Sequence, residues 1–313
     1  MLRRPTSKLR KRAIVVSLAL SVMGLPALAD GPTTRTTPRN SAEVDTSRIV
    51  AIGGDVTEII YKLGAGKNIV AVDATSQFPP DALKTKQNVG YMRALSSEGV
   101  LSTRPSLIIA SDGAGPPEVT RALKSAAIPY VTVDGKDTAD GLRLKVNQIA
   151  VALGLTPLGK KLVSEIDTKL SKLDERRKTI SKTKSVLFIL AARDGRAIVG
   201  GNETSADAII ELAGARNAVS NLTGFKPLTD EALIGASPDA IIVMKRGDGS
   251  KSHEDALALP GVKLTPAGKT KQIFVMDGVY LIGFGPRMPD AANDLMTKLY
   301  SRDATDANGQ GVN

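Results

Sequence analysis

Few side chains in this sequence are of a type that does chemistry unaided. The 313 residues contain one histidine, His253, and no cysteine. A zinc cluster of Cys and His ligands is therefore excluded, and so is nucleophilic catalysis by a Cys-His pair. A Ser-His-Asp arrangement would have to be built on His253, which the polar stretch Gly247 to Asp255 places in a loop. Gly53-Gly54 and Gly200-Gly201 follow apolar runs but lack both the Gly-x-Gly-x-x-Gly and the Walker spacing. They read as strand-to-helix turns and not as phosphate cradles. The carboxylates are scattered along helical faces, with no pair that stands out as general acid and base. The segment Val89-Gly90-Tyr91-Met92-Arg93-Ala94-Leu95-Ser96-Ser97-Glu98 carries a tyrosine and an arginine two residues apart. Its residue types alone leave Tyr91 as a loop cap or rim residue and Arg93 as a solvated cation.

The elements that must position these residues are legible from periodicity. Short β-branched runs at Ile49–Ile52, Ile69–Val72, Leu107–Ala110 and Tyr130–Val133 predict strands. Helical patterns lie between them around Thr57–Leu63, Glu98–Thr103 and Glu118–Ala127. After a long charged stretch the alternation resumes, with strands at Val186–Leu190, Ala240–Met244 and Ile273–Met276. Helices near Ser205–Ala213, Asp230–Ile234 and Pro289–Tyr300 accompany them. Alternating strands and helices imply βαβ units and mainly parallel sheets. In the charged stretch, Leu162, Ile166, Leu170 and Leu173 lie on one helical face and Pro157 suits a helix start, which predicts one long helix.

The second half repeats the first. Glu98-Gly-Val-Leu-Ser-Thr-Arg-Pro105 aligns with Glu231-Ala-Leu-Ile-Gly-Ala-Ser-Pro238, each followed by a β-branched strand. Ile60 to Asn68 likewise aligns with Ile209 to Asn217. The reading is α/β: two Rossmann-like lobes, each with a mainly parallel sheet, joined by one long helix. Its expected divisions are an N-terminal lobe at 47–156, a linking helix at 157–182, a C-terminal lobe at 183–303 and a disordered tail at 304–313. The cleft between lobes is a favoured place for a ligand, and a single helical crossing predicts small relative motion.

The first residues are a different object. Arg3, Arg4, Lys8, Arg10, Lys11 and Arg12 precede the apolar run Ala13–Leu25, which ends at Pro26-Ala27-Leu28-Ala29. This is the pattern of a cleaved secretory signal peptide at 1–29, and the run is shorter than the roughly 20 residues of a spanning helix. Cleavage removes six positive charges and no negative one, so the formal net charge falls from +10 to +4. The basic balance is then mostly a targeting signal, which argues against a nucleic-acid partner. Residues 30–46 are rich in Thr and Pro and read as a flexible leader. Without a cysteine the exported chain has no disulfide and no lipid anchor on a cysteine, and is expected free in the periplasm.

Ile49–Gly53, Thr57-Glu58-Ile59-Ile60, the Gly90-Tyr91-Met92-Arg93 segment and Gly283-Phe284-Gly285-Pro286-Arg287 resemble the haemin-binding periplasmic proteins of bacterial haem ABC importers. These belong to the class III binding proteins, whose lobes are joined by one long helix and which include cobalamin and siderophore carriers. The resemblance covers residues 47–303. It implies a binding protein and not an enzyme, a monomer without membrane insertion, that carries ferric haem b as transported ligand. Its partner would be an importer permease dimer with a cytoplasmic ATPase. It places the axial iron ligand on Tyr91, and a phenolate is a hard anionic donor suited to ferric iron. Arg93 and Arg246 are the candidates to contact that tyrosine or a haem propionate. Some relatives add a histidine after the first C-lobe strand. Leu190-Ala191-Ala192-Arg193-Asp194 has none, which implies a single haem. Met92 and Met244 either line an apolar wall or belong to the core. Glu98 and Glu231 correspond to lobe-tip glutamates that dock onto permease arginines. The alternative cargo within the same fold is cobalamin or a ferric siderophore.

Overall fold

The β-branched runs become strands, and those at the centre of each sheet are buried on both faces. The computed structural model describes residues 44–193, 195–245 and 250–308. The signal segment 1–29, the leader as far as Glu43, Arg246 and residues 309–313 lie outside the described residues. The first lobe contains β1 (Ile49–Ile52), α1 (Gly54–Lys62), β2 (Ile69–Val72), α2 (Asp81–Thr85), β3 (Gln87–Asn88) and α3 (Ser97–Leu101). It is completed by β4 (Leu107–Ser111), α4 (Pro117–Ser125), β5 (Tyr130–Val133) and α5 (Ala139–Ala152). Its sheet has the order β3-β2-β1-β4-β5 with every pair parallel. α6 (Thr156–Lys178) follows as one helix of 23 residues.

The second lobe opens with β6 (Ser185–Arg193), β7 (Arg196–Gly200), α7 (Ser205–Leu212), β8 (Arg216–Asn217), β9 (Phe225–Leu228), α8 (Asp230–Ala236) and β10 (Ala240–Lys245). Then come α9 (Ser250–Ala258), α10 (Pro260–Leu264), α11 (Pro266–Lys269), β11 (Ile273–Asp277), α12 (Gly278–Ile282) and α13 (Met288–Asn308). The order is β11-β10-β6-β7-β9, with β8 also on β6. β6 pairs parallel with β10 and β8, whereas β7 runs antiparallel to both β6 and β9. α13 extends past Asp303, where the sequence reading ended the lobe and began a tail. His253 sits exposed on α9, a correction to the loop expected for it.

Successive residues of a strand enter different cores, as a period of 2 requires. Ile49, Ala51, Leu107 and Ile109 join one cluster, while Val50, Ile52, Ile108 and Ala110 join another on the opposite face. In the second lobe Val186, Phe188, Ala240 and Ile242 alternate in the same way with Leu187, Ile189, Ile241 and Val243. The first of these clusters is continuous from one sheet to the other through Leu162, Ile166, Leu170 and Leu173 of α6. The apolar stripe of the long helix is thus a keel shared by both lobes, each such side chain contributing about 1.5–3 kcal/mol by burial.

The repeat recurs as geometry. The residue before each aligned proline is left-handed, Arg104 at φ 51° and Ser237 at φ 45°. The two aligned helix ends close alike: Ala65 N–H donates to Ile60 O and Ala215 N–H to Ile210 O, both at 3.1 Å, around Gly64 and Gly214 with positive φ.

Candidate functional site

In an open parallel sheet, ligands collect outside the carboxyl ends of the strands. In the first lobe these ends are organised by Asp73, which follows β2 and is fully buried. Its Oδ1 accepts from Gly53 N–H (2.9 Å) and Ser76 Oγ (3.0 Å). Its Oδ2 accepts from Thr75 N–H (2.9 Å) and Thr75 Oγ1 (2.7 Å). Thr75 Oγ1 accepts in turn from Gly54 N–H at 2.9 Å, so the turn between β1 and α1 is tied to the loop after β2. Gly53 adopts φ 114° there, a conformation a side chain would strain. Four donors on one side chain match an acceptor-only carboxylate. Asp73→Asn faces two of them with an amide NH₂, and a loss of about 1–3 kcal/mol in unfolding free energy is expected by urea denaturation.

This frame carries Tyr91. Val89 N–H donates to Val72 O (2.9 Å) and Ala74 N–H to Gly90 O (2.7 Å), so the chain leaving β3 is pinned to the loop that holds Asp73. Beyond it, Ala94 N–H donates to Tyr91 O (2.8 Å), Gly115 N–H to Met92 O (2.8 Å) and Leu95 N–H to Gly115 O (2.9 Å). The backbone of Tyr91 is therefore anchored on both sides while its side chain projects: the residue is 49% exposed, unusual for a large ring. Met92 points inward, with Sδ 3.9 Å from Thr75 Oγ1, and packs against the core beside Val89.

Arg93 is exposed beside Tyr91 and lies in the field of Asp137. Burial pushes the Asp137 carboxyl up, Lys145 and Arg93 pull it down, and Asp55 and Asp112 raise it further. Lys145 is held by Asp55 at 2.8 Å in a buried ion pair. On the second lobe the strand ends present Lys245, paired in register with Asp277, and Arg246 is the next residue in the chain. Met244 packs against Gly278 and the shared core. Leu190 to Arg193, the stretch without histidine, is the half-buried to exposed end of β6, paired with β7.

The strand ends of the two lobes meet at a seam. A Cβ on Gly54 would lie 3.5 Å from Val279 of α12, and Glu58 of α1 is bonded to Arg287 just before α13. Burial raises the Glu58 carboxyl, against the pull of Arg287. Asp73, the Asp55–Lys145 pair and the Glu58–Arg287 pair escaped the sequence reading as site-forming contacts. Glu58 and Arg287 did fall inside the recognised segments, which was the one available signal.

Glu98 and Glu231 occupy matching places, each the second residue of a short capped helix. Ser96 Oγ accepts from Gly99 N–H (3.2 Å) and Thr229 Oγ1 from Ala232 N–H (3.3 Å). Both glutamates are exposed. Bonds from its own backbone and from Thr229 hold the Glu231 carboxyl below the usual range. An open depression of about 820 Å³ lies elsewhere, between the C-terminal turns of α6 and Glu211 to Ala215, and includes none of these side chains. Among the described residues no helix is long and apolar enough to cross a membrane.

Residues 49–280 match the family described as Periplasmic binding protein. The structure is similar to the periplasmic heme-binding protein RhuT from Roseiflexus sp. RS-1 in apo form, at 35% identity and a TM-score of 0.77, covering 82% of this chain and 98% of that one. It is also similar to the periplasmic heme-binding protein BhuT in complex with two hemes, at 36% identity and a TM-score of 0.76, covering 81% and 98%. A vitamin B12-binding protein of Pectobacterium atrosepticum is 26% identical over 256 residues, 80% of this chain and 88% of that protein. The resemblance drawn from the Tyr91 and Arg287 segments thus leads to the same relatives as the whole fold. By its family match and by its two sheets joined through α6, this chain belongs to the periplasmic binding protein family.

Proposed function

We infer that this chain captures haem in the groove between its lobes and delivers it to an ABC-type importer of the inner membrane. The observation that carries the reading is Tyr91: an exposed phenol, on a backbone anchored at both sides, at the carboxyl ends of a parallel sheet. The likeness at 35–36% identity to two periplasmic heme-binding proteins supports it. In this reading Tyr91 is the axial ligand of ferric haem b. Arg93, two residues on in the chain, and Arg246 are the candidates to contact that phenolate or a haem propionate, which an arginine fork matches. Glu98 and Glu231 are the contacts to a permease dimer served by a cytoplasmic ATPase. The chain acts as a periplasmic monomer, after removal of residues 1–29, and performs no catalysis.

The vitamin B12-binding relative favours a second reading, a corrinoid or ferric siderophore in the same groove. Absorbance titration of residues 30–313 with haemin, cobalamin and a ferric siderophore separates the two. The expected result is saturation by one equivalent of haemin with a high-spin, oxygen-ligated ferric spectrum. Saturation by cobalamin with no response to haemin would reverse the assignment.

A further inference from the structure

The haem reading uses neither Glu58 nor Arg287, yet these two residues, 229 positions apart, bind the lobes to one another. Arg287 donates from its backbone N–H to Glu58 Oε1 (3.1 Å) and from Nε to Oε2 (2.9 Å). Its guanidinium lies 3.7 Å from the ring centroid of Phe78, on the first lobe, and 5.0 Å from that of Tyr280, on the second. Tyr280 is itself held by a bond from its hydroxyl to Asp294 at 2.9 Å. The side chains of Glu58 and Arg287 are 5% and 22% exposed. The backbone around them is equally close: a Cβ on Gly285 would lie 3.4 Å from Cα of Asp55. A cation held through its backbone N–H and its Nε and stacked on two rings has few geometries open to it.

The lobes therefore have two anchors. α6 is one, a covalent crossing whose apolar stripe packs into the core shared by both lobes. The Glu58–Arg287 pair is the other, a tie made by side chains with the backbone close beside it, as Gly285 against Asp55 shows. We propose that the Glu58–Arg287 clasp sets the aperture of the interlobe groove and so selects ligands by thickness, admitting a flat macrocycle and resisting a corrinoid with bulky axial groups. The choice of ligands rests on the haem reading, whereas the aperture does not.

Because the sequence contains no cysteine, Ala122→Cys on α4 and Lys269→Cys on α11, both exposed positions, take spin labels without background. Double electron–electron resonance on the ligand-free protein is expected to give one narrow distance distribution. Arg287→Ala and the isosteric Glu58→Gln are each expected to broaden or shift it. The ratio of haemin to cobalamin affinity is expected to fall about tenfold in Glu58→Gln, within the ordinary range of coupling between a remote contact and a site. An unchanged distribution in the clasp variants overturns the aperture role, and an altered distribution with an unchanged affinity ratio overturns the selection. Should Arg287→Ala fail to fold by circular dichroism, Glu58→Gln, which keeps the side-chain shape, decides alone. A parent protein that ignores haemin would sink the haem reading, and the label distances would still decide the aperture.

Discussion

Tyr91→Ala is expected to abolish the oxygen-ligated ferric spectrum and to weaken haemin binding by roughly 30- to 1,000-fold. That range is the about 2–4 kcal/mol of a residue that dominates its interface. The loss belongs to the ligand and not to the fold. The residue is 49% exposed, and the bonds that hold the loop run through backbone groups that alanine retains. The melting temperature is therefore expected to stay within a few degrees. Tyr91→Phe sharpens the test because it keeps the apolar face of the ring and removes only the oxygen. It should lose the spectrum as completely as alanine does while keeping part of the affinity. A phenylalanine variant with the parent spectrum would move the iron ligand to another residue.

Reversing the charge at both Glu98 and Glu231 is expected to stop delivery while leaving haemin affinity intact. Breaking one buried charge pair at an interface costs about 2–5 kcal/mol. Two such contacts on one partner should lower complex formation by well over about a hundredfold. Each glutamate is the second residue of a capped helix, so a lysine there opposes the helix dipole by about 0.3–1 kcal/mol. That is too little to unfold the protein. Transport into proteoliposomes that contain the importer measures delivery, and the absorbance titration measures affinity. Glu98→Lys and Glu231→Lys alone should each fall between the parent and the double variant. A double variant that loses haemin affinity would place these residues at the pocket instead.

Glu98 and Glu231 also show how far local sequence reaches. Their equivalence was legible because it rests on neighbours in the chain: a Ser or Thr cap, a glutamate, and a proline seven residues on that follows a left-handed residue. The stripe on α6 was legible for the same reason, since helical spacing alone puts Leu162, Ile166, Leu170 and Leu173 on one face. The antiparallel pair β7 and β9 was not. β9 carries Pro227 and three exposed residues, as an edge strand can, and so lacks the β-branched run that marks a central one. In α5 Lys145 stands among buried apolar residues, and only the fold supplies the Asp55 that lets this lysine be buried.

By itself, then, the sequence determined the alternation of strands and helices and the long helix between two related halves, while the segment of Tyr91, Met92 and Arg93 stood out through its resemblance to a family. Periodicity, caps and turn residues act within a few positions, and they suffice for the elements. Tertiary structure alone decided that Asp73 gathers four donors, that Lys145 meets Asp55 and that Arg287 closes on Glu58. Such contacts join residues that become neighbours only once strand order and lobe packing are set, and no local spacing encodes them.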